Sequence, residues 1–218
     1  SKNDKILASN LKALQAQMNP HFIFNSLNSV QALILRNDQK SARYYLSKFS
    51  KLMRQTLENS RSQFVTIQDE INTLKNYLDL ENFGREIPFE YEIHVLDDLD
   101  PDNVLLPPML LQPFAENAII HGFKKLERPG KIDVEFSCKD EVLTCSLSDN
   151  GIGRAKAKEE KAQVKQQHKS AALEVTQERL SILNEDEIQK GFEIIDLMED
   201  GNPQGTKIIL RMKLNEKF

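Results

Sequence analysis

The chain has 218 residues, 29 Lys plus Arg against 33 Asp plus Glu for a net charge of −4, and 39% hydrophobic residues. That length fits one large domain or two small ones, and a mildly acidic chain has no general electrostatic reason to coat a phosphate backbone, so nucleic acid is not an expected partner. No apolar run approaches the roughly 20 residues that cross a bilayer.

The chain opens on Ser1 with no signal sequence, and it is expected to be a soluble piece of a longer protein. From Leu7 the apolar residues Leu7, Leu11, Leu14 and Met18 share one helical face. After the polar break from Arg36 to Lys40 a second stripe follows: Ala42, Tyr45, Leu46, Phe49, Leu52, Met53 and Leu57. Two amphipathic helices and a short turn make a hairpin, and neither stripe has enough partners within it. Pairing with a second copy into a dimeric four-helix bundle is therefore expected. Thr66 with Asp69 resembles an N-terminal cap, Ile67, Ile71, Leu74 and Leu78 continue as a third helix, and Gly84 is placed to end it.

Beyond Gly84 the period changes. Phe89, Tyr91, Ile93 and Val95 alternate as a half-buried strand does, which predicts one unit over 1–84 and a second over 85–218. Four more alternating stretches come later, at Ile132 to Phe136, Val142 to Leu147, Phe192 to Leu197 and Ile208 to Leu214. Helical patterns at Met109 to His121 and Leu173 to Asn184 lie among them, so the fold class expected is α+β, a helical hairpin followed by a sheet covered by helices. Arg154 to Lys169 holds six basic and two acidic residues with almost no large apolar ones, and a mobile loop or frayed helix is expected there. Cys138 and Cys145 fall on successive expected strands, a sparse pair expected to stay reduced in the cytoplasm.

Four segments carry candidate chemistry. In MNPHFIFNSLN, from Met18 to Asn28, Pro20 removes a helix donor and crowds the preceding turn, so a bend is expected beside His21. Gln17, His21, Asn25 and Asn28 share a polar stripe, and the plain alternative is a capped histidine at a kink. In LLPPMLLQPFAENAIIHG, from Leu105 to Gly122, Glu116 and Asn117 interrupt an apolar run, and both are oxygen ligands suited to Mg²⁺ held jointly with phosphates. Asp149 with Gly151 and Gly153 comes directly after a strand, where glycines let backbone approach a flat ligand and a carboxylate accepts its hydrogen bond. Gly205 and Thr206 open the last strand, by themselves only a turn.

In this order and spacing the four segments resemble the sensor histidine kinases typified by the autolysis regulator LytS, most specifically through NPHFIFNSLN and LQPFAENAIIHG, with the likeness running from Leu11 to Met212. The resemblance implies a homodimeric hairpin presenting a phosphoacceptor histidine and a GHKL-type α/β sandwich that binds ATP with Mg²⁺, of the kind shared with gyrase. It makes His21 the phosphoacceptor of the H-box, Asn117 the Mg²⁺ ligand of the N-box and Asp149 the adenine-binding aspartate. Gly151, Gly153, Gly205 and Thr206 match the glycine boxes, and His121, closing the N-box, faces either the phosphates or the helix end. It also implies a response regulator as partner, and a missing upstream segment that places this part on the cytoplasmic side of the inner membrane.

Three positions depart from the pattern. Ile120 stands where many family sequences carry Lys, and Ala172 where a glycine is common. Phe22 follows His21 where better-known kinases place an acid, so another base is required, and Glu116 beside Asn117 is the candidate. Two readings compete with an active kinase: an ATP-sensing scaffold without activity, and a phosphatase-biased protein in which Asn25 orients water toward a regulator's phosphoaspartate.

Overall fold

A computed structural model describes residues 8, 20–96, 99–124, 126–153, 168–184 and 191–217, excluding the side chains of 20, 21 and 168–173. The first expected stripe, Leu7 to Met18, and the charged stretch 154–167 lie outside the described residues, as does the backbone needed to judge a bend at Pro20.

Helix α1 spans Pro20–Leu35 and α2 spans Gln39–Ser60. Pro20 suits a first helical position, where its missing N–H is not needed. The turn between the helices uses Asn37 at φ 56°, a left-handed conformation that asparagine tolerates, and the Asp38 carboxylate accepts Ser41 N–H at 3.1 Å to start α2. Phe22 stacks on Phe49 at 6.1 Å, and Tyr45 O–H donates to Ser26 Oγ at 3.3 Å. As one partner's number rises the other's falls, so α1 and α2 run antiparallel.

Strand β1, Val65–Thr66, leads into helix α3, Ile67–Asn82. Thr66 and Asp69 form a reciprocal capping box with the shorter Asp in place of Glu, and Gly84 at φ 73° comes just after the helix end. The contact of α2 with α3 has a polar ladder: Asn59 Nδ2 to Thr73 Oγ1 at 3.2 Å, Asn76 Nδ2 to Gln55 Oε1 at 2.7 Å, and Lys48 Nζ to Asp79 at 3.4 Å. The other carboxylate oxygen of Asp79 accepts Tyr91 O–H at 2.7 Å.

The remaining elements are β2 (Glu90–Val95), β3 (Leu105–Leu106), α4 (Gln112–Asn117) continued by a π-helical turn (Ala118–Gly122), β4 (Lys131–Lys139), β5 (Val142–Asp149), α5 (His168–Asn184), β6 (Phe192–Glu199) and β7 (Asn202–Lys213). The five long strands form one mixed sheet in the order β2-β4-β5-β7-β6, parallel between β2 and β4 and antiparallel elsewhere, so the fold is α+β. Alternate residues enter the core: Ile132, Val134 and Phe136 from β4, Leu143, Cys145 and Leu147 from β5, Ile208, Leu210 and Met212 from β7. They belong to one buried cluster with Leu110, Leu111, Phe114, Ile119 and Leu180 of the α4 region and α5. Cys138 and Cys145 are free thiols. Burial pushes the Cys145 thiol far up, with the Glu70 carboxylate adding to it.

The two short strands β1 and β3 pair antiparallel, Val65 with Leu106 and Thr66 with Leu105, and Ile67 N–H donates to Val104 O at 3.0 Å. Helix α3 is thereby fastened to the chain on the far side of residue 84.

Candidate functional site

Helix α4 starts later than its sequence pattern predicts. Met109 adopts φ 56° after two prolines, and regular helix begins only at Gln112. The N–H groups of Met109, Leu110 and Leu111 turn instead to the carboxylate of Glu70 on α3, at 2.7, 2.7 and 3.0 Å. Leu111, at the capping position, makes no side-chain cap to the helix.

Past Asn117 the helix widens into the π turn, closed by Phe123 N–H on Ala118 O at 2.9 Å. The extra residue of such a turn redirects the chain beyond it, and π turns recur at functional sites. Here it carries Gly122 onto the end of β5. Ile152 N–H donates to Gly122 O at 3.1 Å, and a β-carbon on Gly122 would lie 3.3 Å from Asp149 Oδ1.

Asp149, half-buried, is the last residue of β5, and its Oδ1 accepts Gly151 N–H at 2.8 Å, which fixes the carboxylate. A β-carbon on Gly151 would sit 2.6 Å from the Gly122 α-carbon and 2.8 Å from Asp149 Oδ1. Gly205, at φ 129°, passes so near that a β-carbon would strike the Asp149 carbonyl, and Thr206 is the ladder partner of Asp149. Gly153, at φ 76°, lies against Pro203. Asp149, Gly151, Gly153, Gly205 and Thr206 are thus brought into one cluster, together with the Gly122 end of the N-box segment.

Glu116, Asn117 and His121 are half-buried on the rod that ends at Gly122. Ile120 is 38% exposed, and Ala172 is helical within α5. Burial raises the Tyr77 hydroxyl well above its usual range, and the carboxylates of Glu81 and Glu116 push it the same way. Tyr77 also stacks on Phe22 at 5.5 Å. One tyrosine of α3 thus feels the charge of Glu116 and packs against the residue after His21. His21 lies in the first turn of α1, its side chain outside the described set, and Asn25, one turn on, is exposed.

Among the described residues one group of acids and histidine is close enough to share a metal: Glu92, His94 and Asp133 on the sheet surface. Lys131 Nζ already bridges Glu92 and Asp133 at 3.2 and 3.3 Å, so a cation occupies that charge. The residues around Asp149 fit an adenine nucleotide. A fixed, half-buried carboxylate at a strand end accepts an amino N–H, and glycine-only walls leave backbone open beside it. The oxygens of Asn117 and Glu116 are of the type Mg²⁺ takes.

Sequence reasoning passed over two contributors. Gly122 was legible only as the glycine after His121. Asn150, whose Oδ1 accepts Lys131 N–H at 2.7 Å and whose carbonyl accepts Arg128 at 2.9 Å, ties the turn to β4 with no pattern in the chain to announce it.

The family model described as histidine kinase matches residues 9–86. Sensor protein LytS of Staphylococcus epidermidis strain ATCC 35984 is 38% identical over 143 residues, 66% of this chain and 24% of that protein. Over these stretches the chain is similar to the LytS-type histidine kinases. Sensor protein LytS of Bacillus cereus and that of Bacillus subtilis strain 168 are each 36% identical over the same length and shares. The chain spans about a quarter of the length of these LytS relatives. The histidine kinase domain of a blue-light activated histidine kinase from Erythrobacter litoralis superposes with a TM-score of 0.47 at 11% identity, covering 96% of this chain and 95% of that one.

Proposed function

We propose that this chain is the transmitter of a two-component sensor kinase, which binds ATP beside Asp149, phosphorylates His21 and passes the phosphoryl group to an aspartate of a response regulator. The observation that carries the reading is the convergence of the N-box rod, through Gly122, on Asp149 and Gly151. In this reading the second half is a GHKL-type nucleotide sandwich. Asp149 accepts the adenine amino group, Gly151, Gly153, Gly205 and Thr206 line the nucleotide, and His121 faces its phosphates. Asn117 holds Mg²⁺, which supplies charge neutralisation on the phosphates.

A neutral ring nitrogen of His21 attacks the γ-phosphorus; the new P–N bond forms as the bond from that phosphorus to the bridging oxygen breaks, and ADP leaves. Glu116 takes the proton from the other ring nitrogen, a role supported by its charge acting on Tyr77, the tyrosine against which Phe22 packs. Homodimerisation is supported by α1, which exposes Phe24 (65%), Leu27 (50%), Ile34 (58%) and Leu35 (76%), an apolar surface suited to a four-helix bundle. The protein works in the cytoplasm, where ATP and the regulator are available, beneath a membrane-bound sensor segment.

The exposed Asn25 favours one second reading, a phosphatase activity toward the same regulator. Incubation with Mg²⁺ and γ-labelled ATP separates them. Acid-labile, base-stable label on the chain supports the kinase, whereas nucleotide binding with no label, and loss of phosphate from a phosphorylated regulator, supports the phosphatase.

A further inference from the structure

Helix α4 is held at its start by a residue from another part of the chain. Glu70 is 1% exposed, and its two carboxylate oxygens take the three N–H groups of the turn that leads into the helix, from Met109, Leu110 and Leu111. Arg179 of α5, 3% exposed, donates to Pro108 O at 2.6 Å and attracts the same carboxylate. Helix α3, the N-box rod and helix α5 meet at this one buried acid.

Glu70 and Tyr77 are seven residues apart and so share a face of α3. That single face therefore holds Phe22, next to His21, through Tyr77, and the N-box rod through Glu70. The geometry points to Glu70 as a positioning residue for phosphotransfer: it sets the direction in which α4 leaves α3, and hence where Glu116, Asn117 and His121 stand. Asn117 stands about 7 Å along the rod from Gln112 at ~1.5 Å per residue, so a tilt of roughly 8° at the rod's start moves it by about 1 Å. Displacement of a reacting group on that scale can cost about 10²-fold in rate.

This inference rests on the kinase reading, and its test keeps the two apart. Glu70→Gln in the full chain preserves volume, but its NH₂ must face one of the three N–H groups, donor against donor. Without nucleotide, amide hydrogen exchange over 109–122 is expected to accelerate by about tenfold, the scale of one lost charge-assisted hydrogen bond, with β4 and β5 unchanged. In single-turnover labelling at saturating Mg·ATP the rate is expected to fall by about 10²-fold while ADP affinity stays within about threefold. Should the Gln variant not fold, Glu70→Asp, which keeps the charge but shortens the reach, should show the same split to a smaller extent. Unchanged exchange over 109–122 overturns the proposal, and so does a parallel loss of ADP affinity and rate, the mark of general destabilisation. Absence of label from the unaltered chain overturns the kinase reading instead, and the exchange arm then still decides whether Glu70 holds the rod.

Discussion

Gly122 and Gly151 pass so closely that a β-carbon on Gly151 would lie 2.6 Å from the α-carbon of Gly122. Two segments 29 residues apart can meet beside Asp149 only because neither carries a side chain there. Gly151→Ala should force them apart, costing about 1–3 kcal/mol by overpacking and most of the nucleotide affinity. Gly122→Ala, whose β-carbon would meet Asp149 Oδ1 at 3.3 Å, should do less. Urea unfolding and ADP calorimetry on both variants check the ranking, and equal effects would contradict it.

Asp149 and Asn117 are expected to fail in different ways. In Asp149→Asn the amide oxygen can still accept Gly151 N–H, but the NH₂ presents a donor where the adenine amino group needs an acceptor. Affinity for ATP and ADP should drop together, by about 1–3 kcal/mol. Asn117→Ala should spare ADP binding without metal and abolish labelling. Calorimetry with and without Mg²⁺ distinguishes them.

Much of the fold could be read from the chain because the relevant patterns are local. Ile132, Val134 and Phe136 alternate in the sequence and all point into the core, Thr66 finds Asp69 three residues on, and Gly84 takes the left-handed turn after α3. The features that stayed hidden depend on partners far along the chain. The apolar run from Met109 looks helical, yet its first three N–H groups belong to Glu70, 39 to 41 residues earlier. The β1–β3 pairing involves two residues on each side, too few to show a period, and it fastens α3 across the boundary that the change of period at residue 84 suggests. At the site, the glycine boxes and Asp149 were visible as residue types, whereas the π turn that delivers Gly122 to them arises from the hydrogen-bond register past Asn117.

Glu70 should also leave a signature in the pH dependence of stability. Burial holds its carboxyl above the usual range, opposed by the three N–H donors and by Arg179. The folded chain therefore binds this proton more tightly than the unfolded chain. The corresponding stability is complete below the unfolded pKa and is lost as pH rises through the folded one. The advantage of the native chain over Glu70→Gln in urea unfolding should shrink from acid toward neutral pH. A growing advantage would mean that the donors outweigh burial and that the carboxyl is held low.

Glu116→Gln tests the proton acceptor. Single-turnover labelling at saturating Mg·ATP should slow by about 10² to 10⁴-fold, with ATP affinity close to normal. An unchanged rate would remove Glu116 from the reaction, and a loss of affinity alone would assign it to the metal.

The kinase reading depends on His21 receiving phosphate. The most direct measurement is mapping of the acid-labile, base-stable label after incubation with Mg·ATP, on the native chain and on His21→Gln. Label is expected on His21 alone, and the variant should remain unlabelled while binding ADP as tightly as before. Label that persists on the variant, or that maps to another residue, would contradict the assignment of this chain's chemistry to His21.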